Sequence, residues 1–449
     1  MSDTLSPEPQ GIAAGDADEP AKPLRIGLAG LGTVGCGLID LINRNGDLIA
    51  RRAGRRFTVA AVSARNRHQR RDVDVSPYPW RDNPLDIADP ADVDVVVELI
   101  GGADGPALAI ARAALSRGLP LVTANKALIA HHGAELATLA ESTGTSLHFE
   151  AGVAGGIPIV KTLKEGLAAN RIDGFKGILN GTANFILTLM EDTGSTFDAA
   201  LAKAQEEGYA EADPSFDIDG VDAAHKTAIL TSLAFGVAPD MGQLPVEGIR
   251  AVSHVDIRYA RELGYRIKLL GLARMTEAGL DQRVQACLIP TGATLAKVAG
   301  VSNAIQIHGN FAGPTLVEGL GAGAGPTASA VAADLIDVAR GQGGSTFSQP
   351  AKDFADIGLL AADARRGAFY VRLRVTDRTG VMAQVATAMR DGEVSMERMI
   401  QGTPEADGSV HMIITTHETS EAQMQTVIDR FKALDTVLEE PCVLRIEHS

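Results

Sequence analysis

Leu24-Arg25-Ile26-Gly27-Leu28-Ala29 runs without a break into Gly30-Leu31-Gly32-Thr33-Val34-Gly35 and then into an apolar helical segment, Leu38 to Leu48. Strand, glycine turn and helix in that order leave few folds open. Gly30 permits the turn, Gly32 lets the main chain come close to a pyrophosphate, and Gly35 allows the helix to pack on the strand, while the helix N-terminus favours an anion. The turn, Gly30 to Gly35 with Leu31, Thr33 and Val34 inside it, is therefore the candidate cofactor loop. Further β-rich runs follow at Arg56 to Val62, Val93 to Ile100 and Leu119 to Thr123, separated by alanine-rich helical patterns. Such alternation predicts right-handed crossovers and a doubly wound parallel sheet, an α/β dinucleotide-binding domain over residues 23–150.

Where NAD-binding chains of this type carry an acid for the adenine-ribose hydroxyl, after the second strand, this one has Ser63-Ala64-Arg65-Asn66-Arg67. Arg65 suits a 2′-phosphate, so NADP is expected ahead of NAD. A formal net charge of −15 argues against nucleic acid or an anionic membrane as partner, because no long Lys/Arg block offsets it. The three cysteines, Cys36, Cys287 and Cys442, form no CxxC pair and fit a reducing compartment. With no apolar run near the ~18 residues that span a bilayer, a cytoplasmic enzyme of small molecules is the expectation. Residues 1–22, rich in Asp, Glu, Pro, Ala and Gly, are expected to form a disordered tail.

After residue 150 the texture changes. Gly152-Val153-Ala154-Gly155-Gly156-Ile157-Pro158 breaks the chain, a helical segment is expected to run to Ala169, and Phe175 to Leu179 reads as a strand. A substrate domain is placed at 151–345, and the alanine-dense helix 326–340 within it is expected to pack back on the nucleotide domain. A linker at 346–366 leads to 367–449, where Tyr370 to Val375 alternates at period two ahead of a turn and a helix from Met382 to Arg390. Strands at His411 to Thr416 and Val443 to Glu447, with a helix from Ser420 to Leu434 between them, complete a small sandwich of helices on an antiparallel sheet.

Between Gly208 and Lys226 five carboxylates, Glu211, Asp213, Asp217, Asp219 and Asp222, surround one lysine where an apolar helix begins. Helical spacing puts Asp222 and Lys226 on the stripe of Ile229, Leu230 and Leu233, an unusual place for charge. Burying such a pair costs several kcal/mol per ion before pairing, so the arrangement points to a site.

Six strings in order carry a resemblance: Gly30 to Gly35, Glu98-Leu99-Ile100-Gly101-Gly102, Thr123-Ala124-Asn125-Lys126, Glu150 to Pro158, Gly177-Ile178-Leu179-Asn180-Gly181-Thr182-Ala183-Asn184, and Gly208 to Lys226. On them the chain resembles homoserine dehydrogenase, and Val375 to Val381 resembles the first strand and turn of an ACT domain. The resemblance implies a Rossmann-like sheet, an α+β substrate and dimerisation domain and a ferredoxin-like ACT unit. It implies reversible NAD(P)H-dependent reduction of L-aspartate 4-semialdehyde to L-homoserine, on the way to threonine, methionine and isoleucine, with threonine as the effector and a homodimer or homotetramer.

Reduction of an aldehyde needs a proton source, and Lys226 is the candidate, held by Asp222, with Lys126 assisting by analogy with the family. Glu211, Asp222 and Asp217 would recognise the amino acid, and Asn180, Gly181 and Thr182 would line its pocket. The resemblance adds Gly101, Lys126, Gly208 and Gly325 to the expected cofactor set. A monovalent cation, sodium in the family, is implied on Glu150 and the carbonyls of Val153, Gly155 and Ile157. His225 is read as a packed histidine. Two alternatives stay open: another ACT-containing dehydrogenase such as 3-phosphoglycerate dehydrogenase, and a non-enzymatic amino-acid sensor.

Overall fold

The computed structural model describes residues 21–448, so the tail expected at 1–22 lies, as far as residue 20, outside the described residues. The first part of the chain gives β1 (Leu24–Ala29), α1 (Thr33–Ala53), β2 (Phe57–Ser63), β3 (Val95–Glu98), α2 (Pro106–Ser116), β4 (Leu121–Thr123), α3 (Lys126–Thr143) and β5 (Leu147–His148). The five strands form one parallel sheet in the order β2-β1-β3-β4-β5. Val95, Val96 and Val97 are all fully buried, as expected of a strand covered on both faces. The expected strand to Ile100 ends early, because the Glu98 carboxylate takes the N–H of Ile100 at 2.6 Å and of Gly101 at 3.2 Å and turns the chain. Helix α1 starts at Thr33, directly on the glycine turn, ahead of the apolar periodicity that begins at Leu38.

Beyond this sheet lie α4 (Ile159–Lys161), a π-helical turn (Thr162–Gly166), β6 (Ile172–Ile178), α5 (Gly181–Thr193), α6 (Phe197–Glu206), α7 (Ser215–Ile218), α8 (Val221–Phe235), α9 (His254–Glu262), β7 (Tyr265–Thr276), β8 (Gly279–Pro290), β9 (Ser302–Gly309), β10 (Gly313–Leu320) and α10 (Ala324–Ala339). The helix expected as far as Ala169 is thus broken at Gly166. The glycine-rich run from Leu316 to Gly325 is half the end of strand β10, then a short turn into the start of α10. Helix α10 returns to α1 so closely that a Cβ on Gly37 would meet the Ala324 carbonyl at 2.8 Å.

The last part contributes β11 (Arg366–Thr376), α11 (Val381–Asp391), β12 (Met396–Gln401), β13 (Ser409–Thr416), β14 (Thr419–Ser420), α12 (Glu421–Lys432) and β15 (Cys442–Ile446). Strands β15-β11-β13-β12 form an antiparallel sheet, as the resemblance to an ACT domain implies. It is not a separate sheet. Strand β15 also pairs in parallel with β8, at Arg445 with Cys287 and Ile446 with Leu288, so one sheet runs β10-β9-β6-β7-β8-β15-β11-β13-β12. Buried ion pairs cross this seam, Arg283 with Glu447, Arg365 with Asp281 and Arg372 with Asp256.

Helix α8 sits on the sheet where Gly177 of β6 faces Gly271 of β7. A Cβ on Gly271 would come within 2.1 Å of Thr227 Oγ1, so the bare strand is what lets the helix down onto it. Every residue from Asp222 to Leu233 is buried, where the sequence pattern predicted one apolar stripe. Among the described residues no helix is long and apolar enough to cross a membrane.

Candidate active site

A cavity of about 620 Å³ lies between the carboxyl ends of the parallel strands and the first turn of α8. Thr33, Val34 and Lys126 line its nucleotide side, and Asn180, Gly181, Thr182, Gly208, Glu211, Asp217, Asp222 and Lys226 line the other. Residues remote in sequence thus share one space, at the strand ends where ligands of parallel sheets bind.

Asp222 is its hub. Lys226 Nζ donates to Asp222 Oδ2 at 2.7 Å and to the Leu179 carbonyl at 2.6 Å. Lys126 Nζ lies 3.0 Å from Asp222 Oδ1. Asn180 Nδ2 donates to Asp222 Oδ2 at 2.8 Å and to Asp217 Oδ1 at 2.7 Å, while its Oδ1 takes the Ala183 N–H and caps α5. Burial works to raise the Asp222 carboxyl, but the ammonium groups of Lys226 and Lys126 outweigh it and hold it well below the ordinary range. The Lys226 pKa is lowered too, but here burial is the cause, and Asp222 only partly offsets it. Asp217 is raised by burial.

Asp222 already accepts from three donors, whereas the Glu211 carboxylate is exposed at the cavity mouth. Of the acids expected to recognise an amino acid, Glu211 is the most exposed, while Asp217, half-buried in the same wall, accepts from Asn180. Thr182 donates its hydroxyl to the Tyr209 carbonyl at 2.7 Å and ties down the loop that carries Gly208 and Glu211. His225 is buried, packs against His131 and Phe216, and is pushed down to about 4 by burial and then by His131 and Lys126.

On the nucleotide side, Gly30 has φ 105°, and a Cβ there would meet the Leu99 carbonyl at 2.4 Å, so glycine is required twice over. A Cβ on Gly35 would meet the Gly30 carbonyl at 2.1 Å, while Gly32 faces open space, the condition for a ligand to approach its backbone. Helix α1 has no side-chain cap, which leaves its first N–H groups available to an anion. Gly101 (φ 88°) and exposed Gly325, in the first turn of α10, lie outside the wall of this cavity. Arg65 is exposed just past β2, next to a second cavity of about 550 Å³ lined by Arg67, Arg71 and Trp80.

Family models match over residues 30–150 (homoserine dehydrogenase, NAD binding domain), 158–336 (homoserine dehydrogenase) and 369–436 (ACT domain). A homoserine dehydrogenase of Pseudomonas aeruginosa is 44% identical over 433 residues, 95% of this chain and 99% of that one. The chain belongs to the homoserine dehydrogenase family. The crystal structure of a homoserine dehydrogenase from Thiobacillus denitrificans superposes with a TM-score of 0.88 at 43% identity, over 95% of this chain and 99% of the other. A hyperthermophilic archaeal homoserine dehydrogenase mutant in complex with NADPH matches with a TM-score of 0.60 at 27% identity, over 70% of this chain and 97% of its own. As a homoserine dehydrogenase with an ACT domain, the chain is an NAD(P)-dependent oxidoreductase acting on a CH–OH group. The expected Rossmann-like fold and activity are borne out, and the readings as another dehydrogenase or as a sensor without activity fall away.

The homoserine dehydrogenase site also uses residues that the sequence patterns passed over. Glu98 Oε2 accepts from Thr123 Oγ1 at 2.7 Å, Thr123 Oγ1 accepts from the Asn125 N–H at 3.0 Å, and Asn125 Nδ2 donates to the Gly102 carbonyl at 2.7 Å. This buried chain sets the first turn of α3, whose first residue is Lys126. Its members stand in two of the resembling strings, which was the available signal. Arg71 donates to the carbonyls of Leu31 at 3.2 Å and Asn66 at 2.7 Å and lies over Trp80, so it joins the glycine loop to the arginine loop.

Around the implied cation position, Ala154 and Gly155 both take the left-handed backbone (φ 54° and 52°), with Val153, Gly155 and Ile157 buried. Both Glu150 oxygens serve as a helix cap, accepting from the N–H groups of Val160 at 2.9 Å and Lys161 at 2.8 Å. The Ile157 carbonyl already accepts from Ile159 at 2.8 Å. Burial pushes the Glu150 carboxyl up to about 7 against these hydrogen bonds.

Proposed function

We propose that this homoserine dehydrogenase reduces L-aspartate 4-semialdehyde to L-homoserine with NADPH as its preferred reductant and Lys226 as its proton donor. The observation that carries the assignment is the Lys226 ammonium: two of its three N–H groups rest on fixed acceptors, and the residue faces the cavity. When bound, the cofactor supplies the hydride. As the aldehyde oxygen gains charge, Lys226 transfers a proton to it and becomes a neutral amine beside Asp222. Lys126, on the other oxygen of Asp222, adds positive charge near the same oxygen. Glu211 receives the α-ammonium of the substrate. The α-carboxylate is placed at the N-terminus of α5, where the N–H groups of Gly181 and Thr182 precede the capped Ala183.

Because the donor must be protonated, reduction is expected to slow as pH rises through the Lys226 pKa, below the 10.5 of an ordinary lysine. Oxidation of homoserine needs the neutral amine and should gain over the same range. The first test is NADPH oxidation with aspartate semialdehyde, where turnover at background level would remove the reading.

Support for NADPH comes from the run directly after β2, where residues 63–67 carry two arginines and no carboxylate to hold a ribose hydroxyl. Arg65→Ala is expected to raise KM for NADPH by about tenfold, the loss of one exposed charge-assisted contact, and to leave KM for NADH within about twofold. Equal changes for both would move phosphate recognition elsewhere, Arg67 and Arg71 being next. Gly30 to Gly35 cradle the pyrophosphate, with Gly101, Gly208 and Gly325 beside the cofactor path. A monovalent cation, sodium, is proposed on Glu150 and the carbonyls of Val153, Gly155 and Ile157; an all-oxygen set and a carboxyl lifted by burial suit a hard cation.

Threonine is proposed as the ACT effector and a homodimer or homotetramer as the assembly. Deleting residues after 349 is a poor test of the effector, since it strips β15 from β8 and leaves Arg283 without Glu447. That truncation is expected to lower thermal stability markedly. Inhibition of the full chain by threonine, measured as initial rate, tests the effector directly.

A further inference from the structure

Lys268 of β7 is buried to 2% exposure, yet among the described residues no carboxylate hydrogen-bonds it. Its Nζ donates to Asn184 Oδ1 at 2.9 Å and to the Val298 carbonyl at 2.6 Å. The nearby acid Glu191 is paired with Arg266 at 2.9 Å. An ammonium buried on neutral acceptors costs several kcal/mol, so it does not stabilise the fold merely by being there. Burial lowers its pKa to about 8.

What Lys268 holds is a loop. Asn184, clamped by Lys268, donates through Nδ2 to the carbonyls of Gly300 at 3.0 Å and Ser302 at 3.3 Å. The loop delivers Asn303, 1% exposed, to the wall of the active-site cavity. Asn303 Nδ2 donates at 2.9 Å to the Leu179 carbonyl, the same oxygen that accepts from Lys226 at 2.6 Å. The two lone pairs of that carbonyl therefore take Asn303 and Lys226. Gly321 closes over the amide so tightly that a Cβ there would lie 2.2 Å from Asn303 Cγ.

We propose that Lys268 and Asn303 are positioning residues that fix the Leu179 carbonyl through the 298–303 loop and so set the direction in which Lys226 offers its proton. Neither touches the reacting atoms. The proposal rests on Lys226 being the donor. With the Leu179 peptide free to rotate, the ammonium keeps only Asp222 as a fixed acceptor, and small misplacements of a reacting group are costly in rate.

The test is the kcat of the full chain for Asn303→Ala and Lys268→Met, each alone and in a Lys226→Ala background, by NADPH oxidation with aspartate semialdehyde. Each single variant is expected to lose about tenfold in kcat, with KM for NADPH within about twofold of wild type. In the Lys226→Ala background neither should cause further loss, because the group they position is gone. The same fold-loss in both backgrounds, or wild-type kcat in the single variants, would overturn the proposal. Wild-type kcat in Lys226→Ala alone would instead remove the donor assignment on which it rests. If Lys268→Met does not fold, Asn303→Ala and Asn303→Ser decide by the same comparison, since the serine hydroxyl is too short to reach Leu179.

Discussion

Lys226→Ala is expected to lower kcat for aspartate semialdehyde reduction by about 100-fold or more, the usual contribution of a placed proton donor, while KM for NADPH changes little. Lys226 lies at 8% exposure on α8, held by Asp222 and the Leu179 carbonyl, on the substrate side of the cavity. Its removal leaves the glycine loop of α1 untouched, which is why cofactor binding should persist. Initial rates at saturating NADPH measure the effect. A wild-type kcat would pass the donor role to Lys126, the other ammonium on Asp222.

Asp222→Ala is expected to damage fold and rate together. Asp222 accepts from Lys226, Lys126 and Asn180 at once, so its loss leaves a buried ammonium without its counter-charge. Breaking such a pair from one side costs about 3–5 kcal/mol, visible as a lower midpoint in denaturant. With the nearest carboxylate gone, the Lys226 pKa falls further, so a smaller share of the amine carries the proton it would donate. The kcat of the folded fraction should therefore drop by about 100-fold. An unchanged midpoint would show that water reaches this pair. The same linkage gives a pH signature: the stability that Asp222 contributes is complete above the ordinary carboxylate value of about 3.9 and is lost as pH falls towards its depressed folded value. Acid unfolding should thus begin at lower pH in wild type than in a protein lacking the three contacts.

Much of this could be read along the chain because it is local. The order of strand, glycine turn and helix declares itself within a dozen residues, and Asp222 with Lys226 is a one-turn spacing that any helix would bring together. The contacts made by the main chain could not be read that way. Nothing in the residue type of Leu179 says that its carbonyl holds the Lys226 ammonium, and Asn303 reaches that carbonyl from a strand 124 positions away. Glu150 was no more legible: the resemblance implies a cation there, and nothing in its residue type says that its two oxygens also accept from the N–H groups of Val160 and Lys161. The joining of the ACT sheet to the catalytic sheet was equally hidden, since only two parallel residue pairs between β8 and β15 make it, with the buried Arg283 and Glu447 pair across the seam. Strand β5, two residues long, is below what periodicity can register.

The claim that one buried ammonium donates the proton is tested most directly by the pH profile of kcat for Lys226→Met beside wild type, in the direction of aldehyde reduction. The wild-type profile should fall on its alkaline side below the pH of an ordinary lysine, and the variant should be slower by about 100-fold with that limb gone. A variant that keeps both the wild-type rate and the alkaline limb would contradict the account.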